Sequence, residues 1–196
     1  MSTRAAAAEA TRDRIVAAAV AAFASRWYED VTVRGVAADA GVALQTVRNH
    51  FVSKEELFSA AAERIHAQIS TAREELEPGD VAGAIATLVD DYERTGEMNL
   101  RMLAVEDRVP VVQPVMARGR DAHEAWVKRA FAGARTGLRG ATRTRRIAQL
   151  VVATDVDAWK LLRRDKGLSR EQTVEAMSEL VAALTHHDSH YGKDPK

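Results

Sequence analysis

Apolar residues in this chain recur every three or four positions over most of its length, and they alternate nowhere over a useful stretch. That spacing lines one face of an α-helix, whereas a half-buried strand needs strict alternation. Breakers are scarce, with 4 Pro and 11 Gly among 196 residues, so the helices must be long. Alanine is frequent and β-branched runs are few, which lowers the intrinsic cost of helix formation. Hydrophobic residues make up 46% of the chain, enough for a packed core. The expected fold is all-α.

Composition also removes several functions. With no cysteine, thiolate metal sites, thiol catalysis and disulfide scaffolds are excluded. Lys plus Arg total 28 and Asp plus Glu total 28, so net charge points to no partner. One segment imitates a secretion signal: Arg12 and Arg14 precede the uncharged stretch Ile15–Ser25. Glu9 and Asp13 spoil its basic lead, and Ile15, Ala19, Ala22 and Phe23 fall at helical spacing. No stretch approaches the length of apolar residues that a membrane span needs. The expectation is a cytoplasmic protein.

Local signals divide the chain. A first helix is expected from about Thr11 to Ser25. Thr32 is placed to cap a short helix, Val33–Asp39, and Gly41 to close it. A second short helix follows from about Ala43 to Phe51. Ser53 and Glu56 have capping-box spacing for a helix from Lys54 to about Glu75. Beyond Pro78-Gly79 the expected helices are Val81–Gly96, Glu97–Asp107, Pro114–Ala132, Thr142–Lys166 and Ser169–His187. Domains are expected at 1–53 and 54–196.

Two short helices joined by a glycine-containing turn have the shape of a helix-turn-helix, whose second helix fits the DNA major groove. Val47 and Phe51, four apart, would anchor that second helix. Ala43, Leu44, Gln45, Thr46, Arg48, Asn49 and His50 then supply the face offered to DNA. Gln and Asn pair with adenine, Arg with guanine, and Leu or a Thr methyl with the thymine methyl. Arg34, His50 and Lys54 surround this face as candidate phosphate contacts, and Thr32 belongs to the same DNA-binding set. The same spacing also suits an ordinary helical hairpin with a polar outer face.

The stretch from Thr11 to Phe58 resembles the N-terminal DNA-binding domain of the TetR family of transcriptional regulators. The resemblance rests on Thr11-Arg12-Asp13-Arg14-Ile15, the Ala19 to Phe23 spacing, and Thr32-Val33-Arg34 leading to Ala37. Ala40-Gly41-Val42, Thr46-Val47, His50-Phe51 and Ser53-Lys54-Glu55-Glu56-Leu57 complete it. It implies a homodimeric regulator: a three-helix DNA-binding domain ahead of a helical ligand-binding and dimerising domain. It also implies double-stranded DNA, a palindromic operator and a small-molecule effector as partners. Three positions depart from the usual pattern. Trp27 stands where a glycine commonly ends the first helix. Arg48 replaces a tyrosine in the reading helix, and Ala43 replaces a capping serine.

In the C-terminal part, Tyr92, Met98, Met102, Met116, His123, Trp126 and Trp159 are the candidate ligand-contacting residues; Phe131 belongs to the same pool. Their alternative role is plain core. Leu150, Thr154 and Leu161 on one helix, with Val174, Met177, Val181 and Leu184 at heptad-like spacing on the next, form a candidate dimer seam. The same stripes could face the chain's own core. Asp155 and Asp157 are expected on nearly opposite sides of one helix, and Arg143, Arg145 and Arg146 on a solvated or acid-paired surface.

No catalytic constellation, metal site or cofactor is expected. His123-Glu124 lacks a second histidine four residues after His123, the glycines from Gly133 to Gly140 lack a P-loop lysine, and His186, His187 and His190 lie in the tail. The expected function is a ligand-responsive DNA-binding regulator, a repressor released from its operator by a small molecule. The rivals are an architectural DNA-binding protein without a ligand and a helical enzyme.

Overall fold

The structure, a computed structural model, describes residues 3–74 and 79–185. Nine α-helices follow one another in these residues, with no strand among them. They are α1 (Thr3–Ser25), α2 (Val33–Asp39), α3 (Leu44–His50), α4 (Lys54–Glu74), α5 (Val81–Val105), α6 (Val112–Ala130), α7 (Gly140–Ala153), α8 (Val156–Lys160) and α9 (Arg170–Thr185). A 3-10 turn, Ala132–Arg135, follows α6, and α8 runs on into a π-helical turn, Leu161–Asp165.

The chain forms two compact units. The first comprises residues up to Ser70 together with Glu97–Ala117; the second comprises Thr71–Gly96 and the chain from Arg118 onward. The boundary expected at 53/54 does not coincide with this division, because α4 and the end of α5 complete the first unit's core. Ile15, Phe23, Val36, Val47, Leu57 and Phe58 pack there with Met98, Met102 and Val105, all nearly or fully buried. Phe58 meets the edges of Phe23 and Tyr28 at 5.0 and 5.2 Å between ring centroids. Arg101 of α5 donates to the Ala24 carbonyl near the end of α1, satisfying a backbone acceptor that the helix terminus leaves free.

In the second unit, Ile85, Leu88, Val89 and Tyr92 of α5 share a core with Trp126 and Val127 of α6, Leu150 of α7, Trp159 of α8, and Met177 and Val181 of α9. Asp91 is buried inside this unit and paired with Arg73, at 3.0 Å, and with Arg94. A buried carboxylate without such partners would be costly.

Three helix boundaries differ from the sequence reading. First, α5 is one helix through Gly96, not two. A Cβ at Gly96 would lie 2.4 Å from the Trp159 ring, so this glycine permits close packing and is no terminator. Second, the helix expected over Thr142–Lys166 is broken at Thr154-Asp155. Asp155 caps α8 by accepting from the Asp157 N–H at 3.0 Å, a short-range competition that ends α7. The two aspartates therefore do not sit on opposite sides of one continuous helix: Asp155 is a half-buried cap and Asp157 is exposed in the first turn of α8. Third, α1 starts at Thr3 because the alanine-rich lead continues the helix.

Arg146 also departs from its expected surface position. It is buried and donates to the carbonyls of Ala134 and Leu184, while Arg143 and Arg145 stay exposed. His186, His187, His190 and Pro78 lie outside the described residues.

Candidate functional site

The first unit presents α3. Thr32 caps α2 by accepting from the Gly35 N–H at 3.0 Å. The turn closes through Ala40 N–H to Val36 O and Val42 N–H to Ala37 O, at 2.9 and 3.0 Å. Gly41 sits there at φ +65°, a left-handed conformation that suits glycine. Ala43 opens α3 with no side-chain cap, as its lack of a hydroxyl dictates. The Ser53 hydroxyl accepts from the Glu56 N–H at 3.2 Å, and the Glu56 carboxylate answers with the Val52 N–H. The starts of α2 and α4, on either side of α3, are thus capped by bonds within the segment.

Val47, fully buried, and Phe51 anchor α3. Ala43, Gln45, Arg48 and Asn49 are exposed, and Leu44, Thr46 and His50 are half-buried. Gln45 donates through Nε2 to Asn49 Oδ1 at 3.0 Å, joining the two amides one helical turn apart. Thr32, the N-cap of α2, and Arg34, in its first turn, are exposed. Lys54 is more committed than the sequence suggests: its Nζ donates to the Glu29 carbonyl at 3.2 Å and lies 4.3 Å from the Tyr28 ring centre. Burial lowers its pKa, against the opposing pull of Glu29 and Glu55. The same burial, with Glu55 nearby, pushes the Tyr28 hydroxyl up to about 12. Arg12 of α1, absent from the sequence-derived site, lies 5.1 Å from the Phe51 ring centre and is exposed. No local signal could have placed it there, since the two residues are far apart in the chain.

Part of this unit matches a known family. Residues 15–61 match the family model of the bacterial regulatory proteins of the tetR family. That stretch, which holds α2 and α3, is similar to the regulatory proteins of the tetR family. A comparison by sequence with curated proteins finds no match. Among solved structures, the fold is similar to a TetR-family transcriptional regulator from Streptomyces coelicolor, with TM-score 0.73 and 15% identity over 90% of this chain and 79% of that one. A transcriptional regulator from Rhodococcus sp. Rha1 matches with TM-score 0.69 and 19% identity, over 88% and 95% of the two chains. A SmeT–triclosan complex matches with TM-score 0.67 and 21% identity, over 89% and 91%. The matched family is one of regulatory proteins.

The second unit brings Tyr92, His123, Trp126 and Trp159 into one neighbourhood. The Tyr92 hydroxyl donates to the Thr154 carbonyl at 3.0 Å, at the break between α7 and α8. His123 Nε2 is 3.1 Å from Thr154 Oγ1, and its ring stacks on Trp126 at 5.6 Å. Trp126 also faces the Arg73 guanidinium at 4.7 Å and meets Phe131 edge-on. Burial, then the Arg73 charge, lowers the His123 pKa to about 4, with the Val151 carbonyl pulling weakly the other way. Burial raises that of Tyr92. Met98, Met102 and Met116 do not join this group; they pack in the first unit.

Of the seam residues, Leu150, Thr154, Met177 and Val181 are fully buried within the chain. Val174 and Leu184 are half-buried, and Leu161 is exposed. The large apolar residues that face outward in this unit are Val152, Leu161 and Leu180, at 69%, 54% and 47% exposure. A heptad-like stripe marks a buried face without naming what buries it, which is why the sequence reading named the inward set. No helix among the described residues is long and apolar enough to cross a membrane, and no metal-ligating cluster occurs among them.

Proposed function

We propose that this TetR-family protein is a ligand-responsive homodimeric repressor, acting in the cytoplasm and released from a palindromic operator by a small molecule. The carrying observation is the exposed face of α3: Gln45, Arg48 and Asn49 are exposed while Val47 and Phe51 anchor the helix in the core. Each α3 would enter a major groove, with Arg34, Lys54 and Arg12 toward the phosphates. Residues 1–53 contain the reading helices, and the remainder carries effector binding and dimerisation.

Support for an effector is the enclosed set of polar groups around His123, Thr154 and Tyr92, together with the triclosan complex of a protein of similar fold. Support for a dimer is the outward row of Val152, Leu161 and Leu180. An effector must bind one arrangement of the dimer better than the other to move the operator equilibrium. Selection of duplex DNA from a random pool tests the reading. An inverted repeat should be enriched, and its affinity should fall steeply with salt as counterions are released. No enriched repeat, or a salt-insensitive complex, refutes it.

A further inference from the structure

Residues 125–154 carry seven Lys and Arg and no Asp or Glu, inside a chain whose charges cancel. Four of the seven have a structural role. Lys128 pairs with Glu124, and Arg135 and Arg146 donate to backbone carbonyls. Arg129 lies in the last turn of α6, where a cation suits the helix dipole. Arg139, Arg143 and Arg145 have no such role. All three are exposed, and their side chains have no ion pair or hydrogen bond among the described residues. They occupy the N-cap and first two turns of α7, where cations oppose the dipole and no acidic residue offsets them in the first turn. The Arg143 N–H bonds to the Arg139 carbonyl at 3.3 Å, which sets two like charges one turn apart. Such an arrangement weakens the helix, so folding does not explain it. Exposed arginines elsewhere are matched: Arg26 by Asp39, Arg94 by Asp91 and Arg108 by Glu29. Arg34 and Arg48, on the face proposed to meet DNA, share the unmatched state.

We propose that the start of α7 is a second DNA-binding surface, on which Arg139, Arg143 and Arg145 hold backbone phosphates. The guanidinium fork suits phosphate and stays charged. A small anion would gain little there, because single ion pairs open to water are weak. A polyanion offers a phosphate to each arginine at once and gains by releasing counterions. A protein partner or a membrane would need apolar anchors. The exposed large apolar residues of this unit are Val152, Leu161 and Leu180, none of them in the first two turns of α7. A DNA interface is instead polar and positively charged. The choice of DNA over RNA rests on the reading of α3 given above; the surface itself does not.

The test titrates the full chain carrying Arg34→Gln and Arg48→Gln, which weaken the α3 face, with a duplex of random sequence. Fluorescence anisotropy should show binding that falls steeply with salt. Adding Arg139→Gln, Arg143→Gln and Arg145→Gln should cost more than about tenfold in affinity at low salt and lower the log–log salt slope by about 2.7 per surface engaged. The melting temperature should hold or rise, since a helix N-terminus loses cations; a purely structural role would lower it. Affinity and slope unchanged by the three substitutions overturn the proposal, as does a lack of duplex binding before they are added. Tighter binding of polyglutamate or duplex RNA than of the DNA, at equal charge, overturns it in favour of an acidic protein or RNA. Because α3 is weakened and the duplex is random, failure of the operator reading leaves this test intact.

Discussion

Substituting Gly96 by alanine sets two effects of opposite sign against each other. In an exposed helix interior the change stabilises by about 0.8–1 kcal/mol, since glycine has more backbone entropy to lose. Here the new methyl would lie 2.4, 2.7 and 3.0 Å from three carbons of the Trp159 six-membered ring. Contacts of that length require a displacement of roughly 1 Å, because carbon atoms settle at about 3.5–4.0 Å. The ring has little freedom to give way. Trp159 is fully buried, its Nε1 donates to Glu93 at 3.0 Å, Tyr92 lies at 6.0 Å, and Arg164 lies 5.1 Å from the ring centre. Overpacking of a filled core costs about 1–3 kcal/mol, and an overlap this deep belongs in the upper half. The expected net result is a loss of about 1–2 kcal/mol in urea unfolding, with reduced near-ultraviolet dichroism from Trp159. A double-mutant cycle isolates the cause: in a Trp159→Leu background, Gly96→Ala should instead stabilise by about 1 kcal/mol. If Gly96→Ala matches or exceeds wild-type stability, the glycine is not held there by Trp159 and the reasoning fails.

His123 makes stability fall in acid. Its pKa is about 4 in the folded chain against 6.5 as the ordinary value, so between those pH values the unfolded state binds the proton. Stability from this group is then fully present above pH 6.5 and declines toward pH 4; by linkage, pH 4.5 costs about 2 kcal/mol relative to pH 7. Urea unfolding of His123→Asn at both pH values should show that much less acid sensitivity, and identical losses in the two proteins would count against it. Val181→Asp places a charge in the chain's own core, fully buried, and should collapse the thermal transition; Leu180→Asp, on the exposed side, should keep the melting temperature and yield a monomer by sedimentation. A folded Val181→Asp protein, or a Leu180→Asp dimer with unchanged operator affinity, would show that the faces are misassigned. Arg48→Ala should relax preference at one base position, costing about 1–3 kcal/mol for the favoured base alone. A uniform loss across operator variants would make Arg48 a phosphate contact instead.

The N-terminal domain was legible in the sequence because its determinants are local. The Thr32 and Ser53 caps, the Gly41 turn and the Val47–Phe51 anchor all act within a few residues, and each sits where its spacing indicated. The all-helical class followed in the same way from periodicity and scarce breakers. What the pattern could not say is which partner covers a given face. Gly96 read as a stop signal until Trp159 was placed against it, and the Asp155 cap ended a helix that apolar spacing alone would have continued. Met98 and Met102 looked like ligand-site residues but fill the first unit's core, and the seam stripe turned inward to leave Val152 and Leu180 outside. The contacts of Arg146 and His123 depend on carbonyls and a hydroxyl supplied from distant elements. Caps and turns are decided by neighbours along the chain, whereas burial and proton placement are decided by neighbours in space, and only the tertiary structure supplies those.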